Sequence, residues 1–108
     1  MSDRLPAGVL VAALIRRASD AGGFAAVLAK GDPQAGGILL ALSERGGPER
    51  LVERGIGGNG EPALIDATPA DESDAYWRRR RARDPDLWVV ALDIADVERL
   101  AAEILLGH

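Results

Sequence analysis

Cysteine is absent from the 108 residues, lysine occurs once, at position 30, and histidine once, at position 108. Without cysteine there is no disulfide, no thiolate zinc site, no iron–sulfur ligation and no cysteine nucleophile. His108, alone at a chain end where backbones fray, has no metal-binding company and no place in a Ser-His-Asp constellation. Hydroxyl nucleophiles are also scarce: Ser2, Ser19, Ser43, Ser73 and Thr68 fall at the chain start, at element ends or at a helix cap, where local hydrogen bonding uses them. Long hydrophobic runs are missing too. The apolar stretch 7–15 is nine residues long and runs into Arg16-Arg17, against the roughly 20 residues that a membrane-spanning helix needs. Asp3 before it, and Arg16, Arg17 and Asp20 after it, make it a poor secretory leader. We therefore expect a cytoplasmic protein, with no membrane partner, no metal and no cofactor.

What is present is ordinary for one soluble domain, 47% hydrophobic and 28% charged. A chain of this size buries roughly 60 to 70% of its unfolded surface, enough for one core, so residues 1–108 are expected to form a single domain. Thirteen basic residues against seventeen acidic ones give a net charge of −4 and a pI near 4.9, the wrong sign for a molecule-wide nucleic-acid or anionic-membrane footprint.

Along the chain, Pro6 suits the first position of a helix, and Leu10, Ala13, Leu14, Arg17 and Ala18 recur at helical offsets until Ala21-Gly22-Gly23 stops it. Val9, Val11 and Ile15 widen its apolar surface, which points to cover on more than one side or to an interface. Residues 24–30 and 37–43 are short apolar runs joined by Gly31-Asp32-Pro33-Gln34-Ala35-Gly36, which reads as a hairpin. Residues 49–55 make a polar third strand, with Leu51 opposite Arg50, Val52 and Arg54, expected at a sheet edge. Residues 63–67 make a fourth, closing a meander. Thr68-Pro69-Ala70-Asp71 resembles a capping box opening a helix to about Arg83, which Asp84-Pro85 ends. Residues 87–92 are apolar on both faces and so central. Val97, Leu100, Ala101, Ile104 and Leu105 trace a last helix, with Asp93 or Asp96 as cap and Gly107 beyond its end. The order α-β-β-β-β-α-β-α implies an α+β fold: about five strands in an antiparallel-rich sheet and three helices, mainly on one face.

Three features invite chemistry. Gly55-Ile56-Gly57-Gly58-Asn59-Gly60 matches G-x-G-x-x-G, but a charged strand precedes it and Glu61-Pro62 follows it, so a hairpin turn is expected in place of a phosphate cradle. Tyr76 and Trp77 followed by Arg78, Arg79, Arg80, Arg81 and Arg83 form the most conspicuous segment, and rings beside guanidiniums are what a single-strand nucleic-acid binder uses. On a helix, however, four consecutive arginines point in four directions. Asp71, Glu72 and Asp74 precede them and Asp84 and Asp86 follow, so residues 71–86 sum to zero, Asp74 stands i, i+4 to Arg78, and the charges complement the helix dipole. Nucleic acid is thereby disfavoured. Third, Asp32, Asp66, Asp84, Asp86 and Asp93 lie near strand ends, and hydrolytic or ligand-binding work would need two of them converging in a desolvated pocket. Turn and cap roles are expected for them, and a core role for Trp88.

Three segments, Ala13-Leu14-Ile15-Arg16-Arg17 with Ala21-Gly22-Gly23-Phe24-Ala25, then Lys30-Gly31-Asp32-Pro33-Gln34-Ala35-Gly36, then Asp84-Pro85-Asp86-Leu87-Trp88-Val89-Val90, give the chain its resemblance to a family. It resembles the short alphaproteobacterial proteins designated domain of unknown function 1491, over about residues 8 to 93, departing at Lys30 and in the extent of the arginine run. The resemblance implies a bacterial cytoplasmic origin and brings no activity, cofactor or site residues. With no catalytic set and two strongly apolar helices, the leading expectation is a non-enzymatic module acting through a protein partner or as a homo-oligomer through its first or last helix. The alternative is a nucleic-acid-associated module using Tyr76, Trp77, Arg78–Arg81 and Arg83. A carboxylate enzyme comes third.

Overall fold

The computed structural model describes residues 5–69 and 72–107. Its elements are α1 (Ala7–Asp20), β1 (Phe24–Ala29), β2 (Ile38–Ser43), β3 (Arg50–Ile56), β4 (Pro62–Asp66), α2 (Ser73–Arg83), β5 (Trp88–Asp93) and α3 (Val97–Leu106). This is the expected α+β order. The strands form one sheet in the order β1-β5-β2-β3-β4, antiparallel at every junction except the parallel pairing of β5 with β2.

That order overturns the first hairpin. Strands β1 and β2 are not neighbours, because β5 lies between them, with Val27 opposite Val90 on one side and Leu40 opposite Val90 on the other. The physical reason is the apolar character of β5 on both faces: Val89 and Val90 are each 0% exposed, which only an interior strand permits. The turn residues 31–36 instead arch over the start of β5. The Asp32 amide donates to Asp86 O at 3.0 Å, and Trp88 Nε1 donates to Asp32 O at 2.8 Å. The same arch supplies carbonyls to the first turn of α1, where the amides of Ala7 and Gly8 donate to Gln34 O and Pro33 O at 3.1 and 2.8 Å. Helix starts leave such donors orphaned unless something accepts from them. Here loop backbone does so, with Pro6 one residue before the helix and no side-chain cap.

Strand β3 is the second correction. It was expected at an edge because of its charges, yet it is interior, paired with both β2 and β4. Leu51 and Val52 are buried on opposite faces, and the charges find partners on the helices: Arg50 pairs with Glu98 of α3 and Glu53 with Arg80 of α2. The sheet edges are β1 and β4.

Helices α1 and α3 cover one face of the sheet, burying Leu10, Leu14, Ala18, Leu100, Ala101 and Leu105 against Leu40, Leu42, Val90 and Leu92. Only one side of α1 is covered, and Val9 stays exposed. Helix α2 lies on the other face, with Trp77 set among Leu39, Leu51, Leu87 and Val89. Terminal chemistry follows local rules at two helix ends. After α1, Gly22 at φ 80° lets the amides of Gly23 and Gly22 donate back to Ala18 O and Ser19 O, a Schellman closure. Gly107, at φ 74°, ends α3 in the left-handed conformation as expected.

Two expected caps are used elsewhere. Asp96 precedes α3 in a left-handed conformation without a side-chain cap, while the Asp93 carboxylate accepts from the amides of Arg45 and Gly46 at 2.7 and 2.9 Å, closing the β2–β3 turn. Thr68 bonds back to β3, its Oγ1 accepting from the Leu51 amide at 3.0 Å. Ala70 and Asp71 of the expected capping box lie outside the described residues, as does His108.

Candidate functional site

Helix α2 separates the residues that the sequence grouped together. Trp77 is only 8% exposed and belongs to the core, its Nε1 donating to Asp74 Oδ1 at 3.3 Å, so this ring is no platform for a base. Tyr76 is half-buried beside it, with the Arg80 guanidinium 5.8 Å from its ring centroid. Arg80 grips Glu53 in a two-pronged pair, both nitrogen–oxygen distances being 2.9 Å, and also donates to the Tyr76 hydroxyl at 3.1 Å. The Glu53 carboxylate, followed by the Tyr76 hydroxyl, holds the Arg80 guanidinium even more firmly protonated than usual, against the opposing effect of burial. Arg81 donates to Lys30 O at 2.8 Å, tying α2 to the end of β1. Arg78 lies over the Trp77 ring at 4.7 Å, in place of the expected pair with Asp74.

Arg79 and Arg83 are exposed and form no ion pair with a described residue. Charge compensation was expected along the helix itself. Instead the arginine that is neutralised at close range is answered from β3, and Arg78, Arg79 and Arg83 remain on the surface.

The glycine-rich segment 55–60 is the β3–β4 turn. Gly57 N donates to Glu61 O at 2.8 Å, Gly60 N to Gly57 O at 3.0 Å, and Asn59 Oδ1 accepts from Glu61 N at 3.0 Å. The positive φ is carried by Gly60 at 83°, not by Asn59. The strand-end carboxylates serve turns as well: Asp32 accepts from Gln34 N, Asp66 from Thr68 N and Asp84 from Asp86 N.

A cavity of about 490 Å³ opens between the start of α1, the end of α3 and the β3–β4 turn, walled by Leu5, Leu10, Ile38, Ile56 and Leu105. Among the described residues its one acidic lining residue is Glu53, whose carboxylate Arg80 occupies. A shallower hollow gathers Glu49, Glu72 and Asp74, all exposed. Partial burial, then the neighbouring Asp74, raise the Glu49 carboxyl above its ordinary value. Neither place brings together two strand-end aspartates. Among the described residues, no group of three or more His, Cys, Asp or Glu side chains is placed to hold a metal ion, and no helix is long and apolar enough to cross a membrane.

The feature that sequence reasoning missed is β1. It pairs with β5 on one side and, among the described residues, has no strand on the other. Its six residues, Phe-Ala-Ala-Val-Leu-Ala, carry no charge and no proline, two of the devices that ordinarily blunt an edge strand, and a bulge is the device it keeps. Phe24, Val27 and Leu28 are 60%, 42% and 42% exposed. Leu28 is the extra residue of a bulge, since Val27 faces Val90 and Ala29 faces Val89. The opposite edge, β4, starts with Pro62 and ends with Asp66.

A family model described as protein of unknown function DUF1491 matches residues 5–102. The chain belongs to that family. A crystal structure of a DUF1491 family protein from Caulobacter crescentus CB15 is 38% identical, with a TM-score of 0.75, covering 90% of this chain and 94% of that one. A solution structure of a DUF1491 family protein from the same strain gives a TM-score of 0.71 at 38% identity, covering 89% of this chain and 91% of that one. A solution structure from A. tumefaciens gives 0.71 at 33% identity, covering 90% and 92%. Among curated proteins, none matches the sequence. The resemblance read from the sequence is thus established, and DUF1491 membership supplies a fold with bacterial relatives and no assigned activity. The signal that could have disclosed the β1 edge, six uncharged residues in a run, is in the DUF1491 chain itself. Only the topology shows that this run borders the sheet.

Proposed function

We propose that this DUF1491 protein is a non-enzymatic, cytoplasmic protein-interaction module whose free β1 edge receives a β-strand from another protein molecule. The observation that carries it is the coincidence on one strand of unpaired backbone, absent charge and exposed Phe24, Val27 and Leu28. Strand addition answers all three, since main-chain hydrogen bonds provide attraction and alternate side chains provide selectivity. The apolar faces of α1 and α3, which the sequence offered as association surfaces, are used in the core. Binding in preference to catalysis is supported by the turn-closing roles of the aspartates.

The test is affinity purification from the native host with the wild type and with a Phe24→Lys/Val27→Lys variant, both verified as folded by circular dichroism. A protein retained by the wild type and lost from the variant supports the edge. A protein retained equally by both places the contact elsewhere and refutes it. Nucleic acid stands second, favoured by the exposed Arg78, Arg79 and Arg83 and weakened by the burial of Trp77.

A further inference from the structure

We infer that the strand received by β1 is β1 of a second copy of this chain, paired antiparallel about a two-fold axis through Ala26. This rests on the strand-addition proposal above and names its partner. An axis perpendicular to the sheet keeps each face continuous across the pair, so opposed residues must point to the same side. Ala25 and Val27 lie on the α1 face, opposite Leu92 and Val90, while Phe24 and Ala26 lie on the α2 face, opposite Asp93 and Ala91. Centring the axis on Ala26 satisfies this condition: Ala26 meets its own copy, and Val27 meets the partner's Ala25.

Val27, 42% exposed in the single chain, is set against an alanine in this register. The register also brings exposed Lys30 to the end of the partner's strand, where α1 finishes in exposed Asp20. The bulge at Leu28 ends the regular ladder after Val27, so the pairing is short. A contact of this size belongs to the weak, reversible class, and the dimer dissociates on dilution.

A chain without cysteine makes the test direct. In Ala26→Cys the two thiols face each other across the axis, with Cβ atoms about 4.5–5.5 Å apart as in any directly opposed pair, within reach of a disulfide after slight adjustment. In Ala29→Cys they stand six residues out of register, roughly 20 Å apart. Mild oxidation is expected to convert Ala26→Cys to a reducible covalent dimer and to leave Ala29→Cys monomeric.

Light scattering after size exclusion, from low micromolar to near-millimolar protein, is expected to show a wild-type dimer at the upper end and a folded monomeric Val27→Lys variant throughout. A wild type that is monomeric at all concentrations overturns the inference. So does a dimer that Ala26→Cys fails to trap, or equal trapping by Ala29→Cys. If the wild type is monomeric yet retains a partner that the Phe24→Lys/Val27→Lys variant loses, the edge is a docking strand and only self-pairing falls; if neither is seen, both fall.

Discussion

Replacing Gly31 by alanine should destabilise the protein out of proportion to the one methyl group added. A Cβ at Gly31 would stand 2.1 Å from Asp86 O and 2.7 Å from Trp88 Cδ1, and a Cβ at Gly36 would stand 2.1 Å from the same oxygen. The carbonyl is therefore clamped between two glycines and cannot escape one by moving toward the other. It is also anchored, because it accepts the Asp32 amide at 3.0 Å. The φ of Gly31 is not in the left-handed region, so the effect isolates contact from backbone strain. Relieving such an overlap costs about 1–3 kcal/mol, and loosening the Asp32–Asp86 bond adds about 0.5–1.5 kcal/mol. Together these lower Tm by roughly 6–20 °C in a chain of this size.

Gly58, with nothing within 4 Å of an added Cβ, is the control, and Gly58→Ala is expected to stay within about 0.5 kcal/mol of the wild type. Thermal and urea unfolding followed by far-ultraviolet circular dichroism measure both. A Gly31→Ala variant as stable as Gly58→Ala would show that the arch over β5 is not close-packed and would refute the clamping of the Asp86 carbonyl between Gly31 and Gly36.

Glu53→Gln removes the two-pronged partner of Arg80, leaving an arginine side chain only 30% exposed without its counter-charge, and should destabilise by about 1–2 kcal/mol in urea unfolding; no change would mean that the pair is as weak as a surface contact. On acidification, Asp93 is held below its ordinary value by the Gly46 amide, and Glu103 by Arg17. Each contributes stability that is complete above its unfolded value of about 4 and lost as pH falls through the lower folded value. Melting temperatures should therefore drop below about pH 4, and less steeply in Asp93→Asn; an identical acid limb in that variant contradicts the turn-closing role. Glu49 has the opposite sign, so Glu49→Gln should raise Tm at neutral pH and lose the advantage in acid, and a lowered neutral Tm would count against the unfavourable setting that partial burial and then the charge of Asp74 give it. Fluorescence anisotropy at low salt should detect no binding to single- or double-stranded oligonucleotides; binding that weakens with salt and drops when Arg78 to Arg81 become Gln would reinstate the nucleic-acid alternative.

The parts of the fold that were legible in the sequence are those written in local pattern. The doubly apolar run 87–92 could only be an interior strand, and the spacing Val97, Leu100, Ala101, Ile104, Leu105 could only be a one-sided helix. What was not legible depends on partners far along the chain. Turn residues 31–36 do turn the backbone, but nothing local states that a strand from 88–93 will pass beneath them. The charges of β3 signal an edge until Glu98 and Arg80 answer them. The arginine run shows the same limit, since Glu53 lies 27 residues from Arg80, beyond any count made within a helix. For the candidate site, the uncharged composition of β1 was visible throughout, and its meaning came only with its position at the border of the sheet.

Because the strand that joins β1 to the rest of the sheet is encoded near residue 90, synthesis delivers the sheet out of spatial order. A nascent chain that has emerged through β4 holds a three-stranded antiparallel piece, while β1 has no neighbour at all until β5 appears. Closure of the sheet must wait for late-encoded residues, which makes folding slow for so short a polypeptide and leaves β1 uncovered on the ribosome for most of translation. The same segment keeps one open edge after folding is complete.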